Sequence, residues 1–322
     1  LPCQATTENF TERGIVTSAS NEPGGPTIGH QNLTCVSGMA AAAWPLPDEL
    51  AMYRRIDTDL AGLPSHKTAA FGHDRSIAEI ARSGVQIGYL VHPLTADPAD
   101  DAGWAEQLDG LRAAVDIAAA VDAARVYLTS GPSGGASWEQ AAELFVGRLT
   151  PVVEYAGERG IRLAVENTLP VRCDLSFTHS VRDAMALARM SGMGLCLDFY
   201  CCWQEGGLAE RLREGLDLVE LVQVSDFVVG TQTFPNRWVP GDADLPIARL
   251  LAELLALGTP GSSISNWPDR RSSGRAPSLR CAAASAGCGE SWLAEPDRRP
   301  DGNSGAANPT QMTRRLLTPS KR

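Results

Sequence analysis

The sequence predicts an α/β fold, a (β/α)8 TIM barrel whose last β/α unit is missing or disrupted. Three observations carry this expectation. Short β-type runs alternate with longer helical segments from residue 32 to residue 258. Strand cores such as Leu221-Val222-Gln223-Val224 are apolar on both faces, as strands of a covered parallel sheet are. Polar residues close several different runs, and a barrel gathers its site from the C-terminal ends of many strands. A doubly wound dinucleotide sheet needs a Gly-rich turn after its first strand. Here the Gly-rich stretch 130–135 follows the fourth run and does not fit G-x-G-x-x-G.

Taken in order, the β-type runs are 33–37, 59–63, 85–92, 125–130, 161–167, 194–200 and 220–227. Between and after them lie amphipathic or Ala-rich segments near 47–56, 76–82, 102–121, 138–159, 181–190, 208–216 and 245–257. Gly84, Gly160 and Gly192 stand just before the next strand, where a left-handed residue ends a helix. His66 and Lys67 fall in a stretch read as loop.

Charge divides the chain into unlike parts. The 322 residues carry a formal net charge of -10, from 28 basic and 38 acidic side chains. Residues 1–258 hold 18 basic and 33 acidic groups, whereas 259–322 hold 10 and 5. The tail has no Val, Phe or Tyr, so it buries too little apolar surface to offset its chain entropy. The expected organisation is a disordered leader at 1–30, the barrel at 31–258 and a disordered tail at 259–322. The leader lacks a basic region followed by an apolar run, so it does not read as a signal peptide. The eight Cys show no CxxC pair, which fits reduced thiols in a cytoplasm. No run approaches the ~20 apolar residues of a membrane span, and an acidic barrel is a poor nucleic-acid binder.

Glu166 closes the run Ile-Arg-Leu-Ala-Val-Glu-Asn, and Asp198 closes Gly-Leu-Cys-Leu-Asp on the next. A carboxylate ending an apolar strand must be paired, hydrogen-bonded or bound to a cation, and two on adjacent strands can reach one divalent ion. A salt bridge at the barrel rim is the plainer reading. Gln223 points into the barrel and is either an oxygen ligand, a substrate contact or a structural amide. Asp226 is either functional or a cap of the following loop. His92 is a substrate contact or acid/base group, or else a packed core histidine. Asn167 joins it as a substrate contact. Arg237, in the long loop after the seventh run, clamps substrate oxygens or pairs with Asp242 or Asp244 on the surface. Trp44, Trp203 and Trp238 wall a sugar pocket or pack against helices.

Four stretches, Ala-Val-Glu-Asn (164–167), Leu-Asp-Phe-Tyr (197–200), Val-Gln-Val-Ser-Asp (222–226) and Asn-Arg-Trp-Val-Pro-Gly-Asp-Ala-Asp (236–244), carry a resemblance. The chain resembles the sugar phosphate isomerase/epimerase family with the xylose isomerase-like barrel. The resemblance implies one divalent metal held by a Glu, an Asp, a His and a Glu from the fifth to eighth strands. Glu166 and Asp198 match; Gln223 stands in place of the His, which favours Mg²⁺ or Mn²⁺ over Zn²⁺. Cys201 stands where a further His is often found. The implied chemistry is metal-assisted proton transfer on a polyhydroxy ketone or aldehyde, with Glu166 as base.

The eighth-strand Glu is not visible. With GC-rich codons, residues 263–269 preceded by a T and read one base earlier spell Phe-Asp-Leu-Glu-Leu-Ala-Gly, the kind of strand the family has there. The tail is therefore read as out of frame, and activity as impaired; the gene's nucleotide sequence across this stretch tests it. The alternatives are a non-catalytic sugar-binding barrel or a defective product. Behind these stand an inosose-type dehydratase and an abasic-site endonuclease, the last disfavoured by five scattered His and the acidic barrel.

Overall fold

Seven of the apolar runs form parallel strands, each paired with the next: β1 (Thr34–Ser37), β2 (Leu60–Pro64), β3 (Ile87–Val91), β4 (Arg125–Leu128), β5 (Arg162–Glu166), β6 (Gly194–Asp198) and β7 (Val219–Val224). The structure is a computed structural model and describes residues 34–58, 60–231, 236–258 and 282–284. An eighth strand, β8 (Ala282–Ala284), pairs in parallel with β7 and with β1 and closes the ring in chain order. The eighth unit, expected to be missing or disrupted, is thus a three-residue alanine strand, and no helix follows it among the described residues. The leader 1–30, the stretch 263–269 and the rest of the tail apart from 282–284 lie outside the described residues.

The helices are α1 (Leu46–Ile56), α2 (Ser65–Phe71), α3 (His73–Ser83), α4 (Asp101–Ala120), α5 (Trp138–Glu158), α6 (Val181–Ser191), α7 (Phe199–Cys202), α8 (Leu208–Glu214) and α9 (Ile247–Ala256). Local chemistry sets their starts. Ser137 and Gln140 form a reciprocal capping box on α5, and Asp100 caps α4 by accepting the Gly103 N–H at 2.9 Å. Gly84 and Gly192 end α3 and α6 at φ of 70° and 72°. The stretch read as loop around His66 is instead α2. Its seven residues are too few to show a helical period, and Gly72 separates it from α3.

Alternation along each strand divides the side chains into two layers. Outward residues such as Leu63, Leu90, Val126 and Val165 pack under the helices. Inward residues (among them Cys35, Tyr89, Tyr127, Cys196 and Leu221) fill the barrel. Tyr89 and Tyr127 meet with ring centroids 5.3 Å apart. Below them Arg125 and Arg162, on neighbouring strands, share Glu220 of β7 at 3.2 and 3.1 Å. The inner layer therefore rises from an ion-paired floor through aromatic rings to the strand ends.

Gly62 makes room for that aromatic layer: a Cβ there would lie 2.1 Å from the Tyr89 ring. Gly62→Ala is expected to destabilise the fold by about 1–3 kcal/mol, the usual range for overpacking. A urea melt would read this as a lower midpoint at constant slope. An unchanged midpoint would mean that the ring moves aside freely.

Candidate active site

At the C-terminal mouth of the barrel, inward alternation along β5, β6 and β7 brings Glu166, Asp198 and Gln223 to one region. Register pairs Glu166 with Cys196 and Asp198 with Gln223. Asp198 is fully buried and its carboxylate is occupied on both oxygens. Oδ1 accepts the Tyr200 N–H at 3.0 Å, which caps α7, while Oδ2 accepts from Arg237 Nη2 at 3.0 Å and Cys201 Sγ at 3.3 Å. A carboxylate this deep is costly to ionise unless a cation meets it, and Arg237 is that cation.

Arg237 arrives from the loop after β7. Its Nη1 donates to Ser225 Oγ at 2.7 Å, and its guanidinium carbon stands 4.1 Å above the Tyr200 ring. Burial disfavours its charge, but Asp198 more than offsets this and holds its pKa above the ordinary value. About a quarter of the side chain, 26 %, stays exposed toward the mouth. The pairing with Asp242 or Asp244 is not formed; the partner is Asp198 instead.

Glu166 is only half-buried, and among the described residues no side chain hydrogen-bonds its carboxylate. Burial, then the neighbouring charge of Asp198, pushes its pKa up to about 8, with Arg237 and Arg172 pulling the other way. Arg237 pairs directly with Asp198, and its pull on Glu166 acts through space.

The remaining expected residues take other places. Asn167 was expected to meet substrate. It is fully buried, its Oδ1 accepts the Asp198 N–H at 2.9 Å and its Nδ2 donates to the Asp198 carbonyl at 3.1 Å. Its amide therefore ties the end of β5 to the end of β6. His92 was also expected at the substrate. It lies one residue past the inward Val91, so it points outward, onto α4. There Nδ1 lies 2.9 Å from Ser65 Oγ and Nε2 3.1 Å from the Gln107 carbonyl. A Cβ at Gly110 would stand 3.0 Å from the ring, so a mid-helix glycine is what lets α4 close over it. Burial lowers the His92 pKa to about 4, and the ring is neutral. Ser225 and Tyr200 were not singled out, although Ser225 follows Gln223 by two on the same inward face.

The residues present do not fit the divalent metal expected at Glu166, Asp198 and Gln223. One Asp198 oxygen already faces a guanidinium, and the other accepts the N–H that caps α7. Gln223 is buried and turns its Nε2 to Cys196 Sγ at 3.0 Å. Among the described residues no group of three or more His, Cys, Asp or Glu could hold a metal ion. A permanent cation from the chain stands where two carboxylates would otherwise attract one from solution.

Residues 62–287 match the family described as xylose isomerase-like TIM barrel, a span that runs past residue 258 into the tail. No curated protein matches the sequence. Among solved structures, protein SMc04130 from Sinorhizobium meliloti 1021 superposes with a TM-score of 0.65 at 18 % identity, covering 82 % of this chain and 92 % of its own. The 3-keto-D-glucoside 4-epimerase YcjR from E. coli, in its apo form, gives 0.60 at 12 % identity over 81 % and 94 %. The IolI protein with a binding zinc atom gives 0.60 at 15 % identity over 79 % and 88 %. At such identities the likeness is one of fold. No helix among the described residues is long and apolar enough to cross a membrane.

Proposed function

The chain belongs to the xylose isomerase-like TIM barrel family, and we propose from this that it moves a proton between carbons of an open-chain sugar or sugar phosphate. The observation that carries the reading is Glu166, a half-buried carboxyl whose pKa is raised to about 8 beside the Asp198–Arg237 pair. In its carboxylate form Glu166 takes the proton from the carbon next to the carbonyl. Arg237 supplies positive charge to the enediolate oxygen that develops, and Asp198 and Ser225 hold it ready so that nothing reorganises in the step. Glu166 then returns the proton to the adjacent carbon, while the former carbonyl oxygen gains a proton and the neighbouring hydroxyl loses one. One carboxyl on one face suits this shift between ketose and aldose. Inverting a carbon needs a second proton carrier on the opposite face, and β8 carries only alanines. Among the described residues, isomerisation is therefore favoured over epimerisation.

The test is solvent exchange. Candidate ketoses and aldoses incubated with the protein in deuterium oxide are expected to gain carbon-bound deuterium, read by NMR. Saturable sugar binding without deuterium uptake would favour the second reading, a non-catalytic sugar-binding barrel, which the alanine-only β8 supports.

The exchange rate is expected to rise with pH and level off above about 8, because the base is the deprotonated form. Folding raises this pKa, so protonated Glu166 contributes stability below the ordinary carboxylate range, and that stability is lost as pH rises through about 8. A rate flat from pH 6 to 9 would assign the proton transfer to another group.

Neither Mg²⁺ nor Mn²⁺ enters these steps. Treatment with EDTA is expected to leave the exchange rate unchanged, and metal analysis of the purified protein to find no stoichiometric ion. Loss of exchange on chelation, restored by Mn²⁺, would mean that residues outside the described ones complete a metal site.

A further inference from the structure

Asp226 lies two residues past the end of β7 and is fully buried, yet among the described residues no cation meets its carboxylate. Four backbone N–H groups do so instead. Oδ1 accepts from Phe227 and Leu245, both at 2.8 Å, and Oδ2 accepts from Gly241 at 2.9 Å and Ala243 at 3.1 Å. These donors come from both ends of the long loop that follows β7. Burial pushes the carboxyl up, but the four donors outweigh it and keep its pKa below the ordinary value.

The same residue pins the loop a second way. The Asp226 N–H donates to the Trp238 carbonyl and the Trp238 N–H to the Asp226 carbonyl, both at 2.9 Å. On the other side of Arg237, the Asn236 carbonyl accepts from the Tyr200 hydroxyl at 3.2 Å. Arg237 thus stands between two anchored neighbours, which sets the direction its side chain leaves the loop.

We propose that Asp226 is a positioning residue for Arg237: its carboxylate folds the loop back on the strand end and delivers the guanidinium to Asp198. The proposal rests on the reading of this mouth as a proton-transfer site in which Arg237 faces substrate. Its physical basis is that one carboxylate satisfies four N–H groups at once, which no neutral side chain of that size can do.

Asp226→Asn tests it, since the amide keeps the size but turns an NH2 toward two of the four donors. Three readouts are expected to move while circular dichroism stays unchanged. Amide hydrogen exchange within 236–245 rises. Arg237 becomes open to phenylglyoxal, read by mass spectrometry. Deuterium uptake into sugar slows roughly 10²-fold, the scale on which a small misplacement is felt, and Asp226→Asn combined with Arg237→Met is no slower than Arg237→Met alone. Unchanged labelling of Arg237, or losses that add in the double variant, would overturn the proposal. If the wild-type chain exchanges no sugar proton but Asp226→Asn still exposes Arg237, the positioning role stands and the proposed function falls. Should Asp226→Asn fail to fold, Asp226→Glu, which keeps the charge, is expected to fold and protect Arg237; labelling as fast as in denaturant would count against the proposal.

Discussion

Glu166→Gln is expected to slow deuterium uptake into sugar by roughly 10²- to 10⁴-fold, the usual contribution of a positioned acid or base, without loss of fold. The amide keeps the shape of the side chain but cannot accept and return a proton. Stability is expected to change little or to rise slightly, because the substitution removes a carboxyl that burial and Asp198 already hold against ionisation. Rate and fold are thereby read separately, by NMR of the sugar and by a thermal melt. Retention of most of the exchange rate would remove Glu166 from the mechanism. Arg237→Met is expected to be slow for a different reason: it withdraws the charge facing the enediolate and leaves Asp198 buried without a cation. It should therefore lose stability as well, which distinguishes the two variants.

The largest effect on stability is expected away from the mouth, at Lys67. Lys67→Met should cost about 3–5 kcal/mol, the range for breaking one side of a buried ion pair. Lys67 Nζ lies 2.5 Å from Glu49 Oε2, with side chains 4 % and 0 % exposed, and also donates to the Ala41 carbonyl. The Tyr53 hydroxyl completes the cluster, 2.8 Å from Glu49 Oε1 and 3.1 Å from the Gly62 carbonyl. The group ties α1 to α2 and to the chain after β1. Burial already raises the Glu49 pKa despite the help of Lys67 and Tyr53, so a lone Glu49 would be forced to take up a proton. Removing both charges together, as Lys67→Met with Glu49→Leu, is expected to recover much of the loss, since well-packed apolar pairs often replace buried ion pairs at little cost. Urea melts of the single and double variants measure this. A single variant as stable as the double would show that the pair contributes only packing.

Much of the architecture was legible from local pattern. Strand cores apolar on both faces announced a covered parallel sheet, and the seven predicted runs correspond to β1 through β7. Two elements were not legible: α2, too short for periodicity, and β8, three alanines in a stretch whose composition resists a packed core. Within the site, Glu166, Asp198 and Arg237 were legible as polar residues at strand ends and on a strand-end loop. Ser225 shared the inward face with Gln223 and could have been found by the same period of two. The outward direction of His92 follows from that alternation too, one step past Val91.

What the sequence determined by itself is the place of each carboxylate along its strand, because burial alternates with a period of two and an apolar strand admits charge only at its end. What the tertiary structure alone decided is the state of those carboxylates. Asp198 and its cation are 39 residues apart in the chain, and the Asn167 amide reaches the Asp198 backbone across 31. Charge, hydrogen-bond direction and desolvation depend on neighbours within a few ångströms, and no local pattern reports which distant residue supplies them. The Asp198–Arg237 pair is the example: the residue types could be read along the chain, but which cation meets the carboxylate was set by another part of the fold.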